Sequence, residues 1–300
     1  MYAITGATGN TGKVAAKTLL AQGQKVRVIG RNAERLQPLA AQGAEPFVCE
    51  LSDPAKLANA FAGARAVYAM IPPDMANPDP RAYQERVSDS LATAIEKAGV
   101  HYVVSLSSVG ADKTDKTGPV VGLHHFEEKL NRIAGLNALH LRAGYFMENT
   151  LAQVGLIQML GGTAGPLRPD LKVSMIATRD IGEVAAQALV KLNFNGHQTR
   201  ELLGERDLTM TEVGAMIGKA IGKPDLGYSQ LPDWQLKFGL VQMGMSESMA
   251  DLLLEMSVAL NSGHMRALEQ RSAQNTTPTS YQTFVAEEFV PRYRAKAAGA

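Results

Sequence analysis

The 300-residue sequence predicts an α/β fold: a doubly wound parallel sheet with a smaller, mostly helical C-terminal lobe. Three observations predict it. Short apolar runs alternate with amphipathic stretches through the first half. A glycine-rich turn, TGATGNTGK at residues 5–13, links the first apolar run to the first amphipathic stretch. Beyond residue 150 the strand-like runs thin out and helical periodicity takes over. Strands alternating with helices require right-handed crossovers, and so a parallel sheet covered on both faces.

YAIT, KVRVIG, PFVCE, AVYAMI, YVVSLS and ALHLR are the predicted strands, rich in Val, Ile and aromatic residues. Thr11 to Gln22 is the first helical pattern, and Gly23 ends it. Asn32 is placed to cap the second helix. Asp53-Pro54 reads as a cap followed by proline at the first helical position. In residues 80–98, Tyr83, Val87, Leu91 and Ile95 recur at every fourth place and mark one buried helical face. Later, GGTAGPLRP breaks the pattern, and helices are predicted at 179–192, 210–221, 232–243 and 246–261. Strands near 172–176 and 199–203 are expected to rejoin the main sheet or to form a small one. The division expected is a first domain at 1–150, regaining 172–203, and a smaller lobe at 151–300.

A formal net charge of +1 gives no electrostatic reason to bind nucleic acid or an anionic membrane. The closing YRAKAAGA is read as a solvated helix end. Cys49 is the sole cysteine, so no intrachain disulfide can form; this fits a reducing cytoplasm, with Cys49 as a small buried hydrophobe. There is no secretory leader pattern and no apolar run long enough to span a bilayer. No zinc-type ligand spacing and no internal repeat is found. A cytoplasmic monomer or homodimer acting on a small molecule is the expectation.

The glycine turn carries the first functional reading. A strand, a glycine turn and a helix start together make an anion site. Glycine allows a tight turn and a close backbone approach, and the free N–H groups of the first helical turn face a phosphate. Gly6 is assigned the turn, Gly9 the approach of the pyrophosphate, and Gly12 the packing of helix on strand. Thr8, Asn10 and Thr11 complete the candidate cofactor contacts. The turn follows a predicted strand and opens a predicted helix, the setting in which such spacing means a Rossmann-type dinucleotide site. About 20 residues on, an NAD site places an acid on the ribose 2′-hydroxyl. Here the second strand ends in Gly30-Arg31. A guanidinium suits a 2′-phosphate, so NADP(H) is favoured over NAD, with Asn32, and Lys13 or Arg35, assisting.

With those residues in place, the chain resembles the NmrA-like group of atypical short-chain dehydrogenases over nearly its whole length. The likeness rests on GATGNTG at 6–12, VIGRN at 28–32, ELSDPAKL at 50–57, LRAGYFMENT at 141–150 and RDIGEVAAQAL at 179–189. The resemblance implies NADPH-dependent reduction of quinones or dyes, reduction of benzylic ethers, or sensing of NADP redox state without catalysis. It implies that Glu50 and Leu51 flank the adenine and that Ile71 and Pro72 lie beside the nicotinamide ribose. It puts Tyr145, Phe146, Met147 and Asn149 on the substrate side. Leu51 and Ile71 as plain core, and Phe146 and Met147 as plain packing, remain open alternatives.

Ordinary short-chain dehydrogenases use Ser, Tyr and Lys, the last two spaced YxxxK on one helix. The fifth strand ends Ser105-Leu106-Ser107-Ser108, and Ser107 is taken as the serine. Aligned through Gly135 and Arg142, the lysine position falls at His124 and the tyrosine position at Val120. His125-x-x-x-Lys129 keeps the spacing one residue out of register and is read as accidental. Valine donates no proton. A quinone tolerates that loss, since hydride addition gives a stabilised phenolate-type anion. His124 is the candidate donor to that anion and a candidate cofactor contact, oriented by Glu128 one turn on. Trp234 and Phe238 of the second lobe are expected to complete an apolar acceptor wall, with no flavin and no metal. Two functions therefore stand: a reductase of quinones or similar conjugated acceptors, and a catalytically silent NADP(H) sensor acting through a protein partner.

Overall fold

The computed structural model describes residues 1–298. The first half runs β1 (Tyr2–Ile4), α1 (Asn10–Ala21), β2 (Val26–Gly30), α2 (Ala33–Ala40), β3 (Glu45–Val48), α3 (Pro54–Phe61), β4 (Ala66–Ala69), α4 (Pro80–Lys97), β5 (Tyr102–Ser108), α5 (Val120–Asn131) and β6 (Asn137–Ala143). The six predicted strands and the helices between them all form. Asn32 Oδ1 accepts from Arg35 N and Asp53 Oδ1 from Lys56 N, each at 3.0 Å, so both caps work as read. Gly23 ends α1 with φ +71°.

Beyond β6 come β7 (Tyr145–Phe146), a 3₁₀ turn (Met147–Ala152), α6 (Gln153–Leu160), β8 (Thr163–Gly165), β9 (Val173–Ile176), α7 (Thr178–Lys191) and β10 (His197–Leu202). They are followed by β11 (Asp207–Leu208), α8 (Met210–Ile221), β12 (Tyr228–Gln230), α9 (Asp233–Gln242), α10 (Glu247–Ser262), α11 (Tyr281–Phe284) and α12 (Val290–Ala298). Within the predicted solvated end YRAKAAGA, Arg294 and Lys296 are exposed, while Gly299 and Ala300 lie outside the described residues.

The main sheet has seven parallel strands in the order β3-β2-β1-β4-β5-β6-β10. Its direction of growth reverses between β1 and β4, which opens a crevice at their carboxyl ends. The strands send alternate residues to two cores. Tyr2, Ile4 and Tyr68 join Leu19, Leu36 and Leu189 on one face. Ala3, Val67 and Ala69 join Phe61, Leu91 and Phe126 on the other. Both faces are buried, so the strands read as unbroken apolar runs.

The segment 172–203 divides. β10 joins the main sheet, while β9 enters a separate three-stranded sheet in the order β11-β9-β7. The predicted helix at 179–192 lies on the main sheet rather than in the lobe. A Cβ on Gly182 of α7 would sit 2.6 Å from Thr11 O, so the helix backs directly onto α1. β7, β8, β11 and β12 have two or three residues each, too few for a period of two to register. A third core, with Met147, Met175, Ile217, Phe284 and Phe289, holds this part together. Among the described residues no helix is long and apolar enough to cross a membrane.

Candidate active site

The glycine turn is built so tightly that its sequence is dictated. Gly6 has φ +59°, and a Cβ there would meet Met70 Sδ at 2.5 Å. A Cβ on Gly12 would lie 2.4 Å from Gly6 O, against backbone that cannot move aside. Gly9 differs: its only near neighbour is Gly6 O at 3.2 Å, so space is left open beside it. Gly9 N donates to Gly6 O at 2.9 Å and closes the turn. Gly9 caps α1 without a side-chain bond, which leaves the N–H groups of Asn10, Thr11 and Gly12 without an intrahelical acceptor. Asn10 is exposed, Thr8 half-buried and Thr11 buried. The Thr11 hydroxyl instead accepts from Tyr68 OH at 2.9 Å, a tie between α1 and β4. Such a cradle, free donors at a helix start with room above one glycine, fits a pyrophosphate.

Arg31 is exposed at the tip of β2, and its guanidinium has no ion-pair partner among the described residues. Glu50 is exposed after β3, whereas Leu51 is 7% and Ile71 8% exposed, both within the second core. Ile71 and Pro72 also line a cavity.

That cavity has a volume of 660 Å³ and opens beyond the ends of β4, β5 and β6. Met70, which covers Gly6, lines it, so the cavity begins where the turn ends. Its walls include Val120, Leu123, Tyr145 and Phe146, and across from them Met249, Leu253, Met256 and Leu260 of α10. Asn149 and Ser107 line it too. Gly144 admits the bend between β6 and β7, since a Cβ there would strike Ser174 O at 2.6 Å. Burial pushes the Tyr145 phenol up to about 12, with Asn149 the neighbour that opposes the rise.

Several candidates lie elsewhere. Trp234 is 72% and Phe238 64% exposed, on α9, a helix with no buried residue; neither lines the cavity. The cavity wall that faces Tyr145 and Phe146 is formed instead by α10 and by residues 263–271. Met147 is buried in the third core, held by the 3₁₀ turn that points it away from the cavity. His124 is likewise not on the cavity. Its Nδ1 donates to Ala111 O at 2.9 Å, and Nε2 lies 3.6 Å from Glu128 Oε1. These contacts tie the loop before α5 to the helix, and so Glu128 also sits away from the cavity. His125 and Lys129, the pair one residue out of register, both turn to α4, Lys129 to Glu85 and Asp89 at 2.6 Å each. Cys49 is buried, and desolvation raises its thiol to about 11.

Two residues were missed. Glu127 is 4% exposed and takes the Ser107 hydroxyl at 2.5 Å. Arg142 holds the same carboxylate with Nε at 3.0 Å and Nη2 at 2.6 Å. The signal was present: Arg142 sits in the strand next to Ser107, and a charge in a buried strand needs a partner.

A cradle for a dinucleotide at the switch point of a parallel sheet, opening on an apolar cavity, defines a nucleotide-dependent dehydrogenase or reductase by class. Comparison narrows the class. The sequence profile of the NmrA-like family matches residues 2–290, and the chain belongs to that family. It is 30% identical over 260 residues to an NAD(P)H azoreductase of Xenophilus azovorans, covering 85% of this chain and 86% of the relative. It is 29% identical over 271 residues to quinone oxidoreductase 2 of Escherichia coli, covering 88% and 89%. The crystal structure of an NADPH-dependent quinone oxidoreductase from Escherichia coli, complexed with NADPH, superposes with a TM-score of 0.82 at 25% identity, covering 96% of this chain and all of that one.

Proposed function

We propose that this chain is an NADPH-dependent oxidoreductase that passes hydride directly to a quinone or a similar conjugated acceptor. The observation that carries the reading is the continuity of the glycine cradle with the 660 Å³ apolar cavity. The kinship with NAD(P)H-dependent quinone and azo reductases supports it.

In this reading residues 1–150 hold the dinucleotide, while the later segments, apart from α7 and β10, enclose the acceptor. The N–H groups of Asn10, Thr11 and Gly12 bind the pyrophosphate, and Arg31 binds the 2′-phosphate. Glu50 and Leu51 border the adenine; Ile71 and Pro72 border the ribose next to the nicotinamide. The reduced nicotinamide supplies the hydride. Val120, Tyr145, Phe146 and the α10 methionines orient a flat acceptor and exclude water from most of its surface, while Asn149 offers a polar edge. Val120 stands where a related enzyme places its acid. This favours an acceptor whose reduced form is a stabilised anion that takes its proton from water at the cavity mouth.

Purified protein mixed with NADPH and a panel of quinones should consume the reduced cofactor, followed by its absorbance. No turnover above background with any acceptor would overturn the reductase. Distinct affinities for NADP⁺ and NADPH without turnover would instead establish the sensor, a reading that Val120 alone favours.

A further inference from the structure

Ser107 and Arg142 are register partners on β5 and β6, so their side chains leave the same face of the sheet side by side. Glu127 descends on both from α5. Its Oε1 accepts from Ser107 Oγ at 2.5 Å and from Arg142 Nε at 3.0 Å, and its Oε2 accepts from Arg142 Nη2 at 2.6 Å. A carboxylate gripped by both prongs of a guanidinium only accepts. A serine hydroxyl owns one proton, and here that proton points at Glu127. Ser107 is only 3% exposed, yet it borders the cavity. Toward the cavity it has lone pairs and nothing else.

We infer that Ser107 serves the cavity as a hydrogen-bond acceptor, that Glu127 is the positioning residue fixing this polarity, and that the site selects a ligand group bearing N–H or O–H. The inference rests on the reading of the cavity as the meeting place of cofactor and acceptor. It reverses the role a serine has when it donates to a developing oxyanion. The buried pair with Arg142 is what makes the polarity permanent: removing water from both ions leaves the carboxylate no other donors of comparable strength. Two ligands carry the required group. One is the carboxamide of the nicotinamide, the other an amino or hydroxyl substituent on the acceptor.

Ser107→Ala separates them. Dissociation constants are measured by cofactor fluorescence for NADPH and for its 3-acetylpyridine analogue, which has a methyl in place of the amide nitrogen. KM is measured for 2-amino- and 2-dimethylamino-1,4-naphthoquinone. We expect a loss of roughly two- to tenfold, one hydrogen bond's worth, for the donor-bearing member of one pair and none for its mate. The pair that responds identifies the ligand. Glu127→Ala adds a test of polarity. It removes the oxygen to which Ser107 Oγ donates, so the serine proton is free to turn toward the cavity. The preference for the donor-bearing ligand should then narrow or invert. Should that variant fail to fold, Ser107→Ala still decides. Equal losses within both pairs, or none, overturn the inference while leaving NADPH binding and turnover by the wild type intact. A wild type that neither binds NADPH nor reduces a quinone overturns the functional reading, and this inference with it.

Discussion

The two walls of the crevice are made in opposite ways. On the sheet side, the turn between β1 and α1 has Gly6 and Gly12 fixed by contacts of 2.4–2.5 Å that any Cβ would make. On the far side, α9 has no buried residue, and α10 meets the cavity with Met249 and Met256. A dinucleotide is the same molecule in every member of such a family, so the surface that holds it is rigid and specified residue by residue. An acceptor varies, and flexible thioether side chains adapt to a varied ligand. Stiffness here belongs to the constant ligand and softness to the variable one.

The largest effect should come from adding one carbon to the stiff wall. Gly12→Ala places a methyl against backbone at 2.4 Å, and neither α1 nor the turn can retreat without leaving the sheet. Loss of about 3 kcal/mol or more is expected, together with loss of NADPH binding. Gly9→Ala is the control. Its Cβ meets only Gly6 O at 3.2 Å, so the protein should melt close to the wild type while binding NADPH poorly. Thermal unfolding and cofactor fluorescence on the two variants test the assignment. Equal melting of both would break the contrast between packing glycine and ligand-facing glycine.

This contrast also explains what the sequence revealed. Gly6 and Gly12 announce themselves because backbone geometry leaves no alternative residue, and Gly9 because it completes their spacing. The caps at Asn32 and Asp53 are equally local. His124, Trp234 and Met147 misled, because their roles depend on which way a helix or a short turn faces in the finished lobe. That orientation is set by contacts between residues far apart in the chain, such as Ser246 N donating to Met75 O at 2.9 Å. Glu127 escaped notice for a related reason. It lies beside two residues of helix α5 that look more reactive, and only the β5–β6 register brings it to Ser107.

A second expected effect lies within the rigid sheet and is set by pH. His140 on β6 is 1% exposed, and burial holds its ring down to about 4. The neutral ring is fully bonded: Ser105 Oγ donates to Nδ1 at 2.6 Å and Nε2 donates to Asn131 Oδ1 at 2.9 Å. Above the ordinary histidine pKa, neither the folded nor the unfolded chain carries the proton, and stability from this residue is level. Between that value and about 4 the unfolded chain binds a proton that the folded chain refuses, so stability falls as pH falls. The total is about 3 kcal/mol at most. Denaturant titrations should show the stability gap between wild type and His140→Gln shrinking on acidification. A gap independent of pH would remove the assignment.

Arg31→Asp probes the rim of the stiff wall. The guanidinium is exposed and unpaired with any described residue, so replacing it should leave folding untouched. Exchanging a forked cation for an anion removes a charge-assisted contact to the 2′-phosphate and introduces repulsion. A fall of roughly 10- to 100-fold in affinity for NADPH relative to NADH is expected. Titration with both cofactors decides, and an unchanged ratio would detach Arg31 from the phosphate.

The smallest effect should fall on the soft side. Trp234→Ala removes the only tryptophan, a residue that in many pockets would anchor an aromatic ligand. Here its ring is 72% exposed on a helix that buries nothing, and the cavity is closed by α10 and not by α9. The substitution should change stability by no more than about 0.5 kcal/mol. KM and kcat for quinones should remain within about twofold, which is the same energy expressed as a rate. Met256→Ala provides the opposing case, because that side chain lines the cavity and fills space an acceptor would contact. Its KM should rise for small quinones and rise less for bulky ones that fill the gap themselves. If Trp234→Ala instead raises KM and Met256→Ala does not, the acceptor lies under α9, and the far wall has been drawn on the wrong helix.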